Sequence, residues 1–332
     1  MKLLEAIRLY ITVSRWEFLP AVLIGIFIGI FIGADSLQTL FSLTFLPYLL
    51  EGILIFIILF NVGFMVNCWA DWKVDELYKT ALYKSVMKIG RKALGFMVAF
   101  HIVLAIIFSA HLSLILQRIE LSILVWIGTF LGVGYSIEPF RFKKRGILHS
   151  LIALPIFFIP GIYSYFLVNN LSISDPFTII FLIVAIGITL GHYALILVSQ
   201  AEDQPADKKM NLYTPAVTWG LKKTIYVSFM TNLIGSILIV IGLILMFLTL
   251  NIWLLLLVPF IIIGRYFSMI EVYRMHKHIK VLDEDTVIIK HIRSRMEKYP
   301  LWHAYGLSGI TLSSLIILLI KSFGYVHPVL PI

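Results

Sequence analysis

Three oxygen-bearing side chains recur at every fourth position where an apolar run of this sequence ends. They are Asn67, Asp71 and Asp75, within the stretch NVGFMVNCWADWKVDEL. Residues four apart lie on one face of an α-helix, so a helix here would carry a stripe of amide and carboxylate oxygens. Like charges at this spacing repel each other, and a cation is therefore expected beside them. Such oxygens are hard ligands that suit Mg²⁺.

A second acidic pair repeats the spacing. Asp203 and Asp207 lie in SQAEDQPADKKMNLYTP, where Pro205 predicts a distorted helix or a first helical turn. For either cluster alone, a solvated helix end is the plain alternative. Together they favour one metal site, because they share a spacing and an expected side of the membrane in a chain with only 18 acidic residues.

Basic residues accompany both acidic clusters. Mg²⁺ in proteins commonly joins a few carboxylates to the phosphates of a substrate. Lysine and arginine would neutralise the remaining charge of a polyphosphate. The residues expected to do so are Lys79, Lys84, Arg141, Lys143, Lys144, Arg145, Lys208 and Lys209.

The elements that position these residues are expected to be membrane-spanning helices. The chain has 332 residues, of which 60% are hydrophobic and 14% charged, and its mean hydropathy is +0.96. A soluble domain carries nearly twice as much charge. Runs long enough to cross a bilayer as helices lie at 18–35, 43–66, 93–115, 120–137, 148–168, 175–198, 224–249, 252–270 and 302–321. We therefore predict an all-α polytopic bundle of about nine spans.

The distribution of lysine and arginine predicts the orientation. The formal net charge is +9, and almost all of the 27 basic residues fall on one side if the N-terminus is cytoplasmic. The cytoplasmic segments are then 1–17, 67–92, 138–147, 199–223 and 271–301, which puts both acidic clusters at the cytoplasmic end. Asn170 and the C-terminus are expected outside. The basic excess needs no nucleic-acid partner, and membrane lipids are the expected surroundings.

The whole chain, 1–332, is expected to form a single transmembrane domain. Residues 1–17 are expected to form a short helix in the membrane interface. Residues 271–301 are expected to form an extended cytoplasmic connector. Within that connector, Asp285 or Thr286 would begin a helix reaching Met296, with Ile288, Ile289 and Ile292 as an interfacial apolar face. The acidic run 283–285 resembles a third metal cluster, but acids at a helix start are more often caps.

Three segments together resemble the UbiA superfamily of intramembrane prenyltransferases. Asn67, Asp71 and Asp75 are similar to that family's Asn-Asp-x-x-Asp-x-x-x-Asp motif, and Asp203 with Asp207 to its Asp-x-x-x-Asp motif. Between them, the family's Tyr-Ser-x-Pro-Pro-x-Arg-x-Lys-x-x-Gly segment is matched by Tyr135, Ser136, Pro139, Arg141, Lys143 and Gly146. The sequence departs from the family at Cys68, where an Asp is common, at Glu138 in place of a Pro, at Asn211, and in lacking an Arg-Pro element after the first motif.

The resemblance implies Mg²⁺-dependent transfer of a prenyl group from an allylic prenyl diphosphate to a lipophilic acceptor, either an aromatic or quinone precursor or a lipid, within the membrane. Asn67, Asp71, Asp75, Asp203 and Asp207 would hold the metal, and the four aspartates and Tyr135 would be catalytic. Tyr135 and Tyr193 could stabilise an allylic cation by cation–π attraction, although ordinary packing also explains Tyr193. The substrate-binding set would be Asn67, Lys79, Lys84, Arg141, Lys143, Lys144, Lys208 and Tyr193.

Three other functions are alternatives to transfer. A terpene cyclase of the same family would ionise the same donor without a second substrate, and it is the main alternative. An ion-coupled transporter would need ionisable groups near the bilayer midplane. The main polar exceptions inside the spans are His101 and His192, each better explained by packing. A membrane scaffold would leave the two acidic clusters unexplained.

Overall fold

The computed structural model describes residues 3–169, 175–296 and 298–323. Apart from short 3-10 turns, the chain there forms α-helices joined by short connections. Their bounds are α1 Leu3–Val13, α2 Leu19–Gly33, α3 Leu37–Leu40, α4 Leu46–Tyr78, α5 Thr80–Ile89, α6 Arg91–Leu116, α7 Ile119–Ser136, α8 Ile147–Val168, α9 Pro176–Lys209, α10 Pro215–Trp219, α11 Leu221–Leu250, α12 Val258–Ile279, α13 Asp285–Met296 and α14 Tyr299–Ser322.

The predicted membrane architecture is confirmed. In the described part of the chain, 9 helical segments are long and apolar enough to cross a membrane. The largest buried apolar cluster includes Ile26, Ile55, Phe181 and Phe247, so it joins α2, α4, α9 and α11 away from the acidic residues. Asn170 and the C-terminal residues 324–332 lie outside the described ranges, and their predicted outer position stays a prediction.

Helices α4 and α9 continue well beyond the apolar runs that predict them. The segments 67–92 and 199–223, expected as loops, are therefore largely helical. No glycine or proline interrupts α4 between Phe64 and its end at Tyr78. Pro205 lies inside α9, four residues before its end at Lys209, so the expectation of a first-turn position was wrong. Asp71 with Asp75, and Asp203 with Asp207, thus lie on helices rather than on loops.

The N-terminal segment forms a helix, as predicted, and it packs against the rest of the protein. Leu9 and Val13 of α1 are buried, and Glu5 forms an ion pair with Lys88 of α5 at 2.9 Å. Leu3 and Leu4 are exposed. A position in the membrane interface fits this exposed apolar face and stays a prediction.

The expected connector at 271–301 is shorter than predicted, because α12 continues to Ile279. Helix α13, Asp285–Met296, matches the predicted helix. Its Ile288, Ile289 and Ile292 are buried against residues of α9, α11 and α12, so the expectation of an apolar face at the membrane interface was wrong. These isoleucines instead fix α13 to the bundle.

Candidate active site

The first acidic stripe is held by two cations from the segment between α7 and α8. Asn67 Oδ1 accepts hydrogen bonds from Lys143 Nζ at 3.0 Å and from Ser136 Oγ at 3.3 Å. Asp71 accepts from Arg141 Nη2 at 3.0 Å and also from Lys143 Nζ. Lys143 and Asp71 are both buried. The cation expected from the repulsion between the carboxylates is therefore supplied, in part, by the protein.

Asp75 is the least compensated member of this stripe. Its carboxyl group is buried, and Oδ2 has no hydrogen-bond partner among the described residues. Burial raises the pKa of Asp75 to about 6, against the opposing effect of the Lys79 charge. Burying a carboxylate without partners is costly unless a positive charge compensates it. An added cation would therefore be stabilised next to Asp75.

The second acidic stripe lies on the last turns of α9. Asp207 Oδ2 accepts a hydrogen bond from Thr214 Oγ1 at 2.9 Å, and Asp203 is partly exposed one turn earlier. Neighbouring Glu202 faces Arg293 of α13 at 3.6 Å. Asp203 and Asp207 therefore point to a different side of α9 from the ion pair that anchors α13.

A backbone hydrogen bond joins the segment between α7 and α8, which contacts the first stripe, to the loop that follows the second stripe. The Gly146 N–H donates to the Tyr213 carbonyl at 2.6 Å, and Arg145 and Tyr213 form an isolated parallel bridge. Gly146 has φ +56 and ψ −114, a backbone conformation that glycine adopts readily and other residues rarely do. This contact holds the loop after α9 against the loop that carries Arg141 and Lys143.

Both stripes lie within electrostatic reach of the same two lysines. Lys79 and Lys143 each interact electrostatically with Asp75 of α4 and with Asp207 of α9. Tyr135 of α7 likewise interacts with Asp207 and with the first stripe. The structure therefore brings together the predicted residues Asn67, Asp71, Asp75, Asp203, Asp207, Lys79, Arg141, Lys143 and Tyr135, and we call the first five of these the acidic site.

Four predicted substrate-binding residues are placed differently. Lys144 and Lys208 pair with acids outside the acidic site, at 3.6 Å from Glu138 and 3.3 Å from Asp285. Lys84 is exposed on α5. Tyr193 is buried, and its hydroxyl donates to Ser150 Oγ. In the acidic run 283–285, Asp285 pairs with Lys208, and Asp283 pairs with Lys222 at 3.4 Å. Two members of that run are therefore compensated by lysines.

The sequence did not indicate the polar side chains that contact Tyr135. The Tyr135 hydroxyl is hydrogen-bonded to His149 Nε2 at 2.7 Å, and Gln200 Nε2 contacts the same imidazole ring. His149 and Gln200 are buried. Gln200 lies three residues before Asp203, so the helical face of the second stripe was a signal for it. His149 carried no comparable pattern.

Arg15 was also missed. It lies between α1 and the 3-10 turn that precedes α2, with φ 50, and it interacts electrostatically with Asp75. A surface cavity of about 500 Å³, lined by Arg15, Lys79 and Thr80 among others, opens beside this end of the acidic site. Positive charge from Arg15 and Lys79 therefore lies near Asp75, although the chain lacks the family's Arg-Pro element.

The departure at Cys68 has a structural explanation. Cys68 is buried, and its thiol contacts the Val13 carbonyl at 3.5 Å, so it faces α1 rather than Asp71.

Within the described residues, no three His, Cys, Asp or Glu side chains are close enough together to hold a metal ion by themselves. Mg²⁺ commonly takes only one or two carboxylates from a protein when substrate phosphates supply other ligands, and each stripe offers such a pair.

Comparisons with known proteins identify the family and the fold of this chain. The model of the UbiA prenyltransferase family matches residues 22–280. A UbiA homolog from Archaeoglobus fulgidus bound to GPP and Mg²⁺ is 17% identical, covers 91% of this chain and 99% of its own, and superimposes with a TM-score of 0.64. The same homolog bound to DMAPP and Mg²⁺ gives 16% identity, the same coverage and a TM-score of 0.63.

A structure concerned with digeranylgeranylglyceryl phosphate synthase in membranes is similar as well. It is 16% identical, covers 93% of this chain and 99% of its own, and gives a TM-score of 0.60. Comparison with curated protein sequences found no match. The solved structures establish a shared fold, and the family model covers most of the chain. The chain therefore belongs to the UbiA prenyltransferase family.

Proposed function

We propose that this protein transfers a prenyl group from an allylic prenyl diphosphate to a lipophilic acceptor within the membrane. The observation that carries the proposal is the acidic site itself. Lys143 bonds to Asn67 and Asp71 of α4, and it interacts electrostatically with Asp75 of α4 and with Asp207 of α9. Family membership and the prenyl diphosphates bound by the Archaeoglobus fulgidus homolog support the donor class.

The residues of the acidic site fit Mg²⁺. Asn67, Asp71 and Asp75 would supply ligands from α4, and Asp203 and Asp207 from α9. The unpartnered, buried Oδ2 of Asp75 supports this assignment, because an oxygen in that state is stabilised by a cation. When bound, Mg²⁺ would stabilise the negative charge that develops on the diphosphate.

The proposed reaction breaks the allylic C–O bond, and its electron pair leaves with the diphosphate. Lys143 and Arg141 lie beside Asp71, so they are positioned to stabilise that charge as it grows. The acceptor then forms a bond to the allylic carbon and loses a proton. Tyr135, oriented by its hydrogen bond to His149, would present its ring to the allylic cation.

The acceptor is proposed only as a class, an aromatic or quinone precursor or a lipid. We further propose that the acidic site lies at the cytoplasmic side, because the lysines and arginines concentrate on the segments that carry it. Apolar surface on the spanning helices would let both lipophilic substrates approach from the bilayer.

The test is mass spectrometry of products formed by the purified protein. Isotope-labelled prenyl diphosphates of several lengths are supplied with Mg²⁺, alone and with candidate acceptors. The proposal predicts a prenylated acceptor carrying the label, and only slow hydrolysis of donor supplied alone. A cyclic hydrocarbon or alcohol formed efficiently from donor alone would contradict transfer and identify a cyclase that uses the same metal site.

A further inference from the structure

A second buried polar cluster lies between α9, α11, α12 and α14 and shares no residue with the acidic site. It is built around Arg265 of α12 and His303 of α14, which are only 2% and 3% exposed. Asn232 and Ser236 of α11 complete it, and Asn232 is also fully buried. Neither the proposed reaction nor the family motifs use these residues.

Within the described part of the chain, the hydrogen bonds of the Arg265 guanidinium go to neutral groups. Its Nε donates to Ser236 Oγ at 3.0 Å and its Nη2 to Asn232 Oδ1 at 2.5 Å, while the buried Nη1 has no partner among the residues that the structure describes. Arg265 takes part in none of the ion pairs found among the described residues. The acid on the same helix, Glu271, is already paired with Arg295 at 3.0 Å.

The imidazole of His303 converges on the same point as the guanidinium. A Cβ added to Gly191 of α9 would lie 3.0 Å from Arg265 Nη2 and 3.2 Å from His303 Cε1. Both ring nitrogens of His303 are buried without partners in the described structure. Gly264 and Gly306 let α12 and α14 approach closely, since a Cβ on Gly264 would lie 2.8 Å from the Gly306 Cα. The two side chains are therefore held together by the helix packing.

Among the described residues no carboxylate pairs with Arg265, and the buried group that interacts electrostatically with its charge is the Tyr299 hydroxyl. A buried guanidinium in this state is very costly to maintain. Lys321 shows how another enclosed cation is compensated, because its ammonium donates to the carbonyls of Ile32 at 2.8 Å and Ala34 at 3.2 Å. No such acceptor for Arg265 Nη1 lies in the described ranges.

We propose that Arg265 and His303 bind a small monovalent anion, chloride in the cell, inside the bundle. The enclosure of both side chains favours a monatomic ion over an anion with a hydrocarbon tail. Guanidinium and imidazole N–H groups are the donors such an ion requires. Bound there, the ion would neutralise Arg265 and connect α12 with α14 and α9, the helix that carries Asp203 and Asp207.

The test compares thermal unfolding of the purified full-length protein in sodium chloride and in sodium gluconate at equal ionic strength. We expect the unfolding midpoint to rise by about 3 °C for each tenfold increase in chloride above the dissociation constant. Arg265→Gln should abolish this dependence. Lys321→Gln, which removes an enclosed cation already compensated by carbonyls, should retain it. Equal chloride dependence in all three proteins would overturn the proposal.

A second measurement decides the matter even if Arg265→Gln does not fold. Crystals of the wild-type protein grown in bromide should give an anomalous peak between the Arg265 guanidinium and the His303 ring. Protein whose stability ignores chloride, and whose crystals show no peak there, would mean that the polar cluster is complete without an ion.

Discussion

Asp75 is a residue whose proposed function opposes the stability of the fold. Burial raises its pKa from 3.8 to about 6, so ionisation is harder in the folded protein than in the unfolded chain. As far as Asp75 is concerned, the free energy of unfolding is therefore highest below the pKa that Asp75 has in the unfolded chain. This stability is lost as pH rises through about 6, the pKa in the folded protein. At neutral pH without metal, the ionised carboxylate costs on the order of 2–3 kcal/mol of unfolding free energy.

Asp75→Asn should consequently stabilise the metal-free protein while impairing turnover. In EDTA at about pH 8, we expect the variant to unfold at a higher temperature than wild type, with the difference narrowing toward about pH 4. Thermal unfolding at both pH values measures this. An Asn variant less stable than wild type at about pH 8 would contradict the argument from burial.

Asn67 and Cys68 are adjacent in sequence but face different sides of α4. Asn67 Oδ1 accepts from Lys143 at 3.0 Å, whereas the Cys68 thiol lies against the Val13 carbonyl at 3.5 Å. We expect Asn67→Ala to reduce prenyl transfer at least tenfold and Cys68→Ala to leave it within about twofold, because a buried free cysteine acts mainly as a small apolar group. Equal losses in steady-state turnover would mean that Cys68 belongs to the acidic site.

The carboxylates of the acidic site could be predicted from sequence because four-residue spacing defines one helical face. The partners of Asp71 could not be resolved in this way. Lys143 and Lys144 are neighbours in sequence, yet only the first reaches Asp71, while the second pairs with exposed Glu138. That difference depends on the path of the loop, where Arg141 takes φ 33, and no local pattern specifies it.

Among the elements, the spans followed from hydropathy, but the ends of α4 and α9 did not. Hydropathy predicts the end of a span where charged residues begin, whereas a helix ends where its backbone hydrogen bonds end. Pro205 illustrates the point, since α9 continues through it to Lys209. Tertiary packing of the buried Ala201 and Gln204 keeps this turn helical.

The contact between the loop before α8 and the loop after α9 can be tested at Gly146. A side chain there would have room, since the nearest atom to an added Cβ is the Tyr213 carbonyl oxygen at 3.7 Å, but φ +56 with ψ −114 is strained for other residues. Gly146→Ala should cost about 1–3 kcal/mol and reduce turnover by displacing Lys143. Gly132→Ala, in α7 with open space around it, is the control. Thermal unfolding that does not distinguish the two variants would refute the role of Gly146.

For the whole molecule, the bias of basic residues predicts one membrane orientation. In a Cys68→Ala background, single cysteines replacing Lys84, Lys144, Lys208 and Lys290 should all react with an impermeant thiol reagent from the cytoplasmic side. A cysteine at exposed Gln117, between α6 and α7, should react only from the opposite side. If positions 84 and 208 reacted from opposite faces of the membrane, the two acidic stripes would lie on opposite sides and could not form one site.

We propose that carboxylates of α4 and α9 act together, with Mg²⁺, to ionise a prenyl diphosphate. The most direct measurement is diphosphate release by the purified protein supplied with donor and acceptor. We expect EDTA to abolish release, and Asp71→Asn and Asp203→Asn each to remove most of it, because an amide oxygen does not replace the lost charge opposite Mg²⁺. Asp283→Asn, which removes an exposed partner of Lys222, should retain it. Full activity in EDTA, or equal losses in all three variants, would contradict the account.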